Sequence, residues 1–82
     1  LGSNIKYPTI SQETGSQGKV IVQFVVDRDG TISNPEVVRG VDPYLDKEAI
    51  RVISSMPKWT PGVQNGKKVR VKYTVPVSFR LQ

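Results

Sequence analysis

From Lys67 to the C-terminus the chain changes chemistry at every step. Val69, Val71, Tyr73, Val75, Val77, Phe79 and Leu81 are apolar or aromatic. Lys68, Arg70, Lys72, Thr74, Ser78, Arg80 and Gln82 are polar, and Pro76 alone departs from the pattern. Side chains along a strand point to opposite faces in turn, so this alternation predicts one long half-buried β-strand. At about 3.3 Å per residue it would extend roughly 45 Å, beyond an ordinary strand. In a chain of 82 residues such a strand is not expected to be paired along both sides. Its free edge is the first candidate for a working surface.

The length suffices for one domain with a single modest core. We assign it to residues 7–82, preceded by a lead-in, residues 1–6, whose opening Leu1-Gly2-Ser3 reads as a cloning scar. Targeting elements are then expected to lie outside this fragment; no run of residues is apolar and long enough to span a membrane, and no signal peptide is visible. Cysteine and histidine are both absent. Disulfides and thiol chemistry are thereby excluded, along with the commonest general base and metal ligand. No cofactor is expected.

Charge is distributed unevenly. The first 48 residues carry five basic and seven acidic groups, a net −2, whereas the remainder carries seven basic groups and no acid. That asymmetry points to an acidic or phosphate-bearing partner near the C-terminal strand. Lysines on a solvated strand face also discourage edge-to-edge aggregation, which explains part of the same pattern.

Elsewhere the chain reads as short regular elements. Pro8 to Thr14 predicts a short helix closed by Gly15. Val20, Val22, Phe24 and Val26 form one face of a strand whose other face also carries Ile21 and Val25, so this strand is placed centrally. Asp27-Arg28-Asp29-Gly30 predicts a hairpin turn, and Thr31 to Arg39 the returning strand. Pro35 confines that strand to an edge or a bulge. Asp42 and Pro43 predict the N-cap and first residue of a helix carrying Leu45, Ala49, Val52, Ile53 and Met56 on one face. Pro57 ends it, and Asn65-Gly66 turns the chain into the last strand. A helical crossover returns parallel to the strand it left. The fold expected is α+β: a three-stranded, antiparallel-type sheet in the spatial order 2-1-3, packed on one main helix with a short N-terminal helix beside it. Trp59 is expected to cover the open end of the core.

Pro76 sharpens the reading of the free edge. Along an edge strand, residues whose backbone groups face the neighbour alternate with residues whose groups face outward. Proline has no N–H to give, so Pro76 belongs to the outward set. Without a bulge, Lys68, Arg70, Lys72 and Thr74 share it, and these four are the candidate partner-binding residues.

Several landmarks, taken in order, resemble a known family. They are Tyr7-Pro8, Gly15 with Gly18, Val22-Gln23-Phe24-Val25-Val26-Asp27 ending in Asp29-Gly30, Asn34, and Val37-Val38-Arg39. Leu45-Asp46 with Ala49, Trp59-Thr60-Pro61-Gly62, Asn65-Gly66-Lys67 and Val75-Pro76-Val77-Ser78-Phe79 follow. Together they resemble the TonB C-terminal domain family, in its Bacteroidetes-like branch. The resemblance implies a periplasmic domain of an inner-membrane-anchored energy transducer in a Gram-negative bacterium. It implies that the Ton box of outer-membrane receptors adds as a strand beside the last strand. ExbB and ExbD would be partners through regions outside the fragment, which would also supply the membrane anchor. Receptor contact is further implied around Tyr7 and Pro8, although Asn4-Ile5-Lys6 stands where the family often has Gln-Pro-Gln. A homodimer through the last strand is a further expectation for an exposed edge.

Other classes fit less well. Nucleic-acid binding is not expected, because Tyr73 and Phe79 fall on the apolar face instead of beside the basic side chains, and stacking needs exposed aromatics. Catalysis is not expected either, since Ser54 and Ser55 have no histidine partner. Asp27, Asp29 and Gly30 lack the remaining spacing of a calcium loop, and turn chemistry accounts for them. The same module on another envelope protein, such as a sensor-like membrane peptidase, remains the alternative host.

Overall fold

Val20, Val22, Phe24 and Val26 are all fully buried in the computed structural model, which describes residues 4–82. They lie on β1 (Gly18–Val26), the middle strand of a three-stranded sheet, while Ile21, Gln23 and Val25 on its other face are half-buried. The cloning scar expected at residues 1–3 lies outside the described residues.

The hairpin forms where the turn residues stand. Gly30 takes φ +87° and donates its N–H to the Asp27 carbonyl at 2.9 Å, while Asp29 accepts from the Thr31 N–H at 2.9 Å. A Cβ at Gly30 would meet the Trp59 carbonyl, so only glycine serves both the turn and this close approach. β2 (Ile32–Arg39) then pairs antiparallel with β1, but its register slips twice. One slip contains Asn34, at φ +50°, and Pro35. The proline thus sits both on an edge and at a bulge.

Among the described residues two helices complete the fold. α1 (Thr9–Thr14) starts one residue later than expected, with Pro8 at its N-cap and Gly15 in the left-handed region ending it. α2 (Pro43–Ser54) is capped by Asp42, whose side chain accepts from the Leu45 N–H at 2.7 Å. Its residues Leu45, Ala49, Val52 and Ile53 are buried, the first, second and fourth closing the core over β1.

The long C-terminal strand is two strands. β3 (Gly62–Gln64) and β4 (Lys67–Val69) form a small separate ribbon across the Asn65-Gly66 turn, and β5 (Val71–Phe79) joins the main sheet. Arg70 lies at the break. The cause is on β1: its ladder with β5 runs from Gly18 opposite Phe79 to Val26 opposite Val71, and Asp27 then enters the turn. Lys67–Val69 therefore has no β1 residue opposite it and pairs with the segment preceding its own hairpin turn. The sheet order is β2-β1-β5, with β5 antiparallel to β1 and parallel in direction to β2. The expected 2-1-3 order holds once the ribbon is set aside.

Candidate functional site

β5 forms an outer edge of the sheet, and among the described residues β1 is the only strand paired with it. The ladder is regular, with every residue from Val71 to Phe79 opposite one on β1. In an antiparallel ladder, pairs that exchange hydrogen bonds alternate with pairs that do not. Pro76 faces Ile21 and cannot donate, so that pair is of the second kind. By parity, Lys72, Thr74 and Ser78 also turn their main-chain groups away from β1, while Tyr73, Val75 and Val77 turn theirs toward it. Lys72, Thr74, Pro76 and Ser78 all have exposed side chains.

The four edge residues expected from the sequence are divided by the break. Lys72 and Thr74 stand together on β5; Lys68 lies on β4, opposite Val63. Arg70 sits between the two ladders, its Nε 2.8 Å from Asp27 Oδ1. The Asp27 carboxylate also accepts from the Ser33 hydroxyl at 2.9 Å, so Asp27 ties the hairpin to the start of β5. Arg70 and Lys72 share a shallow groove with Gln23, Asn34 and Glu36 on the sheet face opposite the core.

The opposite side of β5 has an unusual roof. α2 packs over β2 and β1, not chiefly over β5. Trp59 covers one end, with ring centroids 5.2 Å from Phe24 and 5.5 Å from Tyr73. Tyr7 covers the other, meeting Phe79 edge-on at 5.6 Å. The Tyr7 hydroxyl donates to the Ser16 carbonyl, and the Pro8 carbonyl accepts from the Gln12 N–H. Tyr7 and Pro8 are thus fastened to the domain, and Pro8 still lines a groove with Tyr44, Lys47 and Glu48.

Asn4 to Lys6 are held by α2. Glu48 Oε2 accepts from the Lys6 N–H at 2.7 Å, and Arg51 Nη2 donates to the Asn4 carbonyl at 2.8 Å. Arg51 also donates from Nε to Glu48 Oε1 at 2.7 Å. Its guanidinium holds the Glu48 carboxyl below the ordinary value of 4.5, against the opposing effect of burial. The carboxylate holds Arg51 charged in turn. Because Glu48's folded value is depressed, its contribution is present above the ordinary glutamate range and is lost as pH falls through the lowered value. Asp42 and Asp29 are lowered as well, chiefly by the N–H groups of Leu45 and Thr31.

Sequence reasoning missed this clamp. Glu48 and Arg51 stand three residues apart, a spacing any helix-face pair has, and the segment they hold lies 42 and 47 residues away. No local pattern announces such a contact.

Among the described residues the arrangement presents unpaired main-chain donors and acceptors on a regular edge, which is the geometry for accepting another extended chain. A family model described as the C-terminal part of the Gram-negative bacterial TonB protein matches residues 3–81. Over 78 residues the chain is 31% identical to protein TonB of Pseudomonas aeruginosa, covering 93% of this chain and 22% of that one. To protein TonB of Helicobacter pylori it is 25% identical over 83 residues, covering 100% and 28%. The chain thus spans about a quarter of the length of these curated relatives. A solution structure of the Helicobacter pylori TonB C-terminal domain superposes with a TM-score of 0.71 at 25% identity, covering 95% of this chain and 82% of that one. A longer fragment of the same domain gives 0.63, covering 98% and 74%.

Proposed function

The chain belongs to the TonB C-terminal family, and on that premise we propose that it docks outer-membrane transporters by accepting their Ton box as a strand beside β5. In the whole protein this would couple the inner-membrane proton-motive force to nutrient uptake. ExbB and ExbD would be the inner-membrane partners, and the domain would work in the periplasm.

One observation carries the reading: of the two sheet edges, only that of β5 is regular. The β2 edge slips register twice and contains Pro35, devices that discourage pairing with a further strand. Along β5, Lys72 and Thr74 each offer one N–H and one carbonyl, and Pro76 interrupts the donors beyond them. At about 0.5–1.5 kcal/mol net per hydrogen bond, such a ladder gives modest affinity once ordering of the peptide is subtracted. Hydrogen bonds loaded together can still bear a pull.

Lys72 adds a positive charge beside the ladder, and Lys68 and Arg70 flank it along the chain. Acidic residues in the partner peptide are therefore favoured. Titration with a synthetic Ton box peptide tests this: affinity should fall several-fold as the Debye length shrinks from about 30 Å at 0.01 M salt to about 3 Å at 1 M. Affinity independent of salt would remove the charge contribution, and absence of binding at every salt would overturn the docking role.

A further inference from the structure

Glu48 is a carboxylate in a position where a carboxylate would be costly without its partners. Its residue is only 8% exposed, and burying a charged group is unfavourable unless it is paired and hydrogen-bonded. Arg51 stays half exposed, but Glu48 is turned inward toward residues 4–6, and both contacts of the pair there are with main-chain atoms. It grips the backbone of this segment, whatever side chains the segment bears.

That segment leads into the cover over the C-terminal end of β5. Ile5 and Tyr7 pack against the core, and Tyr7 meets Phe79 near the C-terminal end of β5. Leu45, Ala49 and Ile53 of α2 share the buried cluster with Val77 and Phe79, and Ile5 and Tyr7 pack against it, so the gripped segment supplies part of the cover of β5 at that end. An edge accepts a partner strand best when it is already rigid, because the binding energy is then not spent on ordering it.

We propose that Glu48 and Arg51 form a latch that couples seating of residues 4–7 to the order of the β5 edge. This deepens the docking reading above and rests on it for its functional meaning. Occupation of the edge tightens the latch by the same factor as the latch tightens binding, since coupling between two sites is reciprocal. Release of the latch would loosen β5 and with it the docked strand.

Amide hydrogen exchange on the full chain tests the coupling without any partner. Glu48→Ala removes the acceptor of the Lys6 N–H; Glu48→Gln keeps an oxygen there. In Glu48→Ala, exchange at the Lys6, Val75 and Val77 amides should quicken by about tenfold while β2 amides stay unchanged, as expected for local opening. Glu48→Gln should restore part of the protection. Loss of Lys6 protection with Val75 and Val77 unchanged would overturn the latch. Uniform quickening across β1, β2 and β5 would also overturn it, since that would mark a general loss of stability. A synthetic Ton box peptide gives the second arm: Glu48→Ala should bind it several-fold more weakly than the unaltered chain, and equal binding would overturn the coupling. Failure of the unaltered chain to bind would overturn the docking reading instead, with β5 exchange still deciding the latch.

Discussion

Replacing Lys72 by proline is expected to weaken docking of a synthetic Ton box peptide by at least tenfold while leaving the domain folded. Lys72 faces Val25 in a pair whose backbone groups point away from each other, so its N–H makes no bond within the sheet. Proline removes that outward donor and places its ring in the path of an incoming strand. Pro76, two positions on from Thr74, already shows that this parity tolerates the residue. A loss of at least tenfold in affinity is expected, corresponding to about 1.4 kcal/mol or more. Calorimetric titration measures it, with circular dichroism reporting the fold. Tyr73→Pro is the contrasting case: Tyr73 faces β1 opposite Phe24, so its replacement breaks the internal ladder and destabilises the domain. Binding by Lys72→Pro at full affinity would contradict strand addition on this edge.

Phe24→Ala is expected to be the most destabilising single truncation. The ring is fully buried and meets Trp59 at 5.2 Å and Tyr73 at 6.1 Å between centroids. Its removal opens a hole where β1, β5 and the Trp59 loop meet. Large-to-small changes at such sites cost about 3–5 kcal/mol. A chain of this size has a total stability of about 4–12 kcal/mol at typical values per residue. The variant should therefore be much less stable, with much of it unfolded where the parent is near the lower bound. Urea denaturation measures the difference, and Val38→Ala, at a site 49% exposed on the β2 edge, should fall within about 0.5 kcal/mol of the parent. A cost below about 1 kcal/mol for Phe24→Ala would mean that the core does not close around this ring.

Much of this architecture was legible because it rests on local rules. Asp42 and Pro43 state the start of α2, Gly30 states the hairpin, and the alternation from Val20 to Val26 states which face of β1 is buried. Pro35 marked its strand as an edge. Where the chain departs from expectation, the reason is non-local. Alternation continues unbroken through Arg70, since Val69 and Val71 are both apolar, so nothing in the period of the pattern reveals that two ladders share it. The break follows from β1 entering its turn at Asp27, and that depends on how far one strand extends beside another. Asn65-Gly66 did carry half of the answer: a tight hairpin turn requires a strand before it as well as after it, and Gly62–Gln64 is that strand. The α2 clamp on residues 4–6 is likewise invisible locally, because it joins two segments far apart in the chain that only the finished fold brings together.

The site was legible to a lesser degree. Pro76 fixes the parity of the edge from sequence alone, and Lys72 and Thr74 follow from it. Lys68 follows only if the strand is continuous, and its place on β4 removes it from the same ladder. Arg70 read as a free cation and instead pairs with Asp27, an acid from a turn more than forty residues earlier in the chain.

Residue-resolved amide exchange with and without a saturating synthetic Ton box peptide addresses the β5 edge most directly. Before addition, Tyr73, Val75 and Val77 should exchange slowly and Lys72 and Thr74 quickly, because only the first set bonds to β1. The peptide should slow Lys72 and Thr74 markedly and leave the first set almost unchanged. Binding that leaves Lys72 and Thr74 exchanging as before would place the partner elsewhere on the domain.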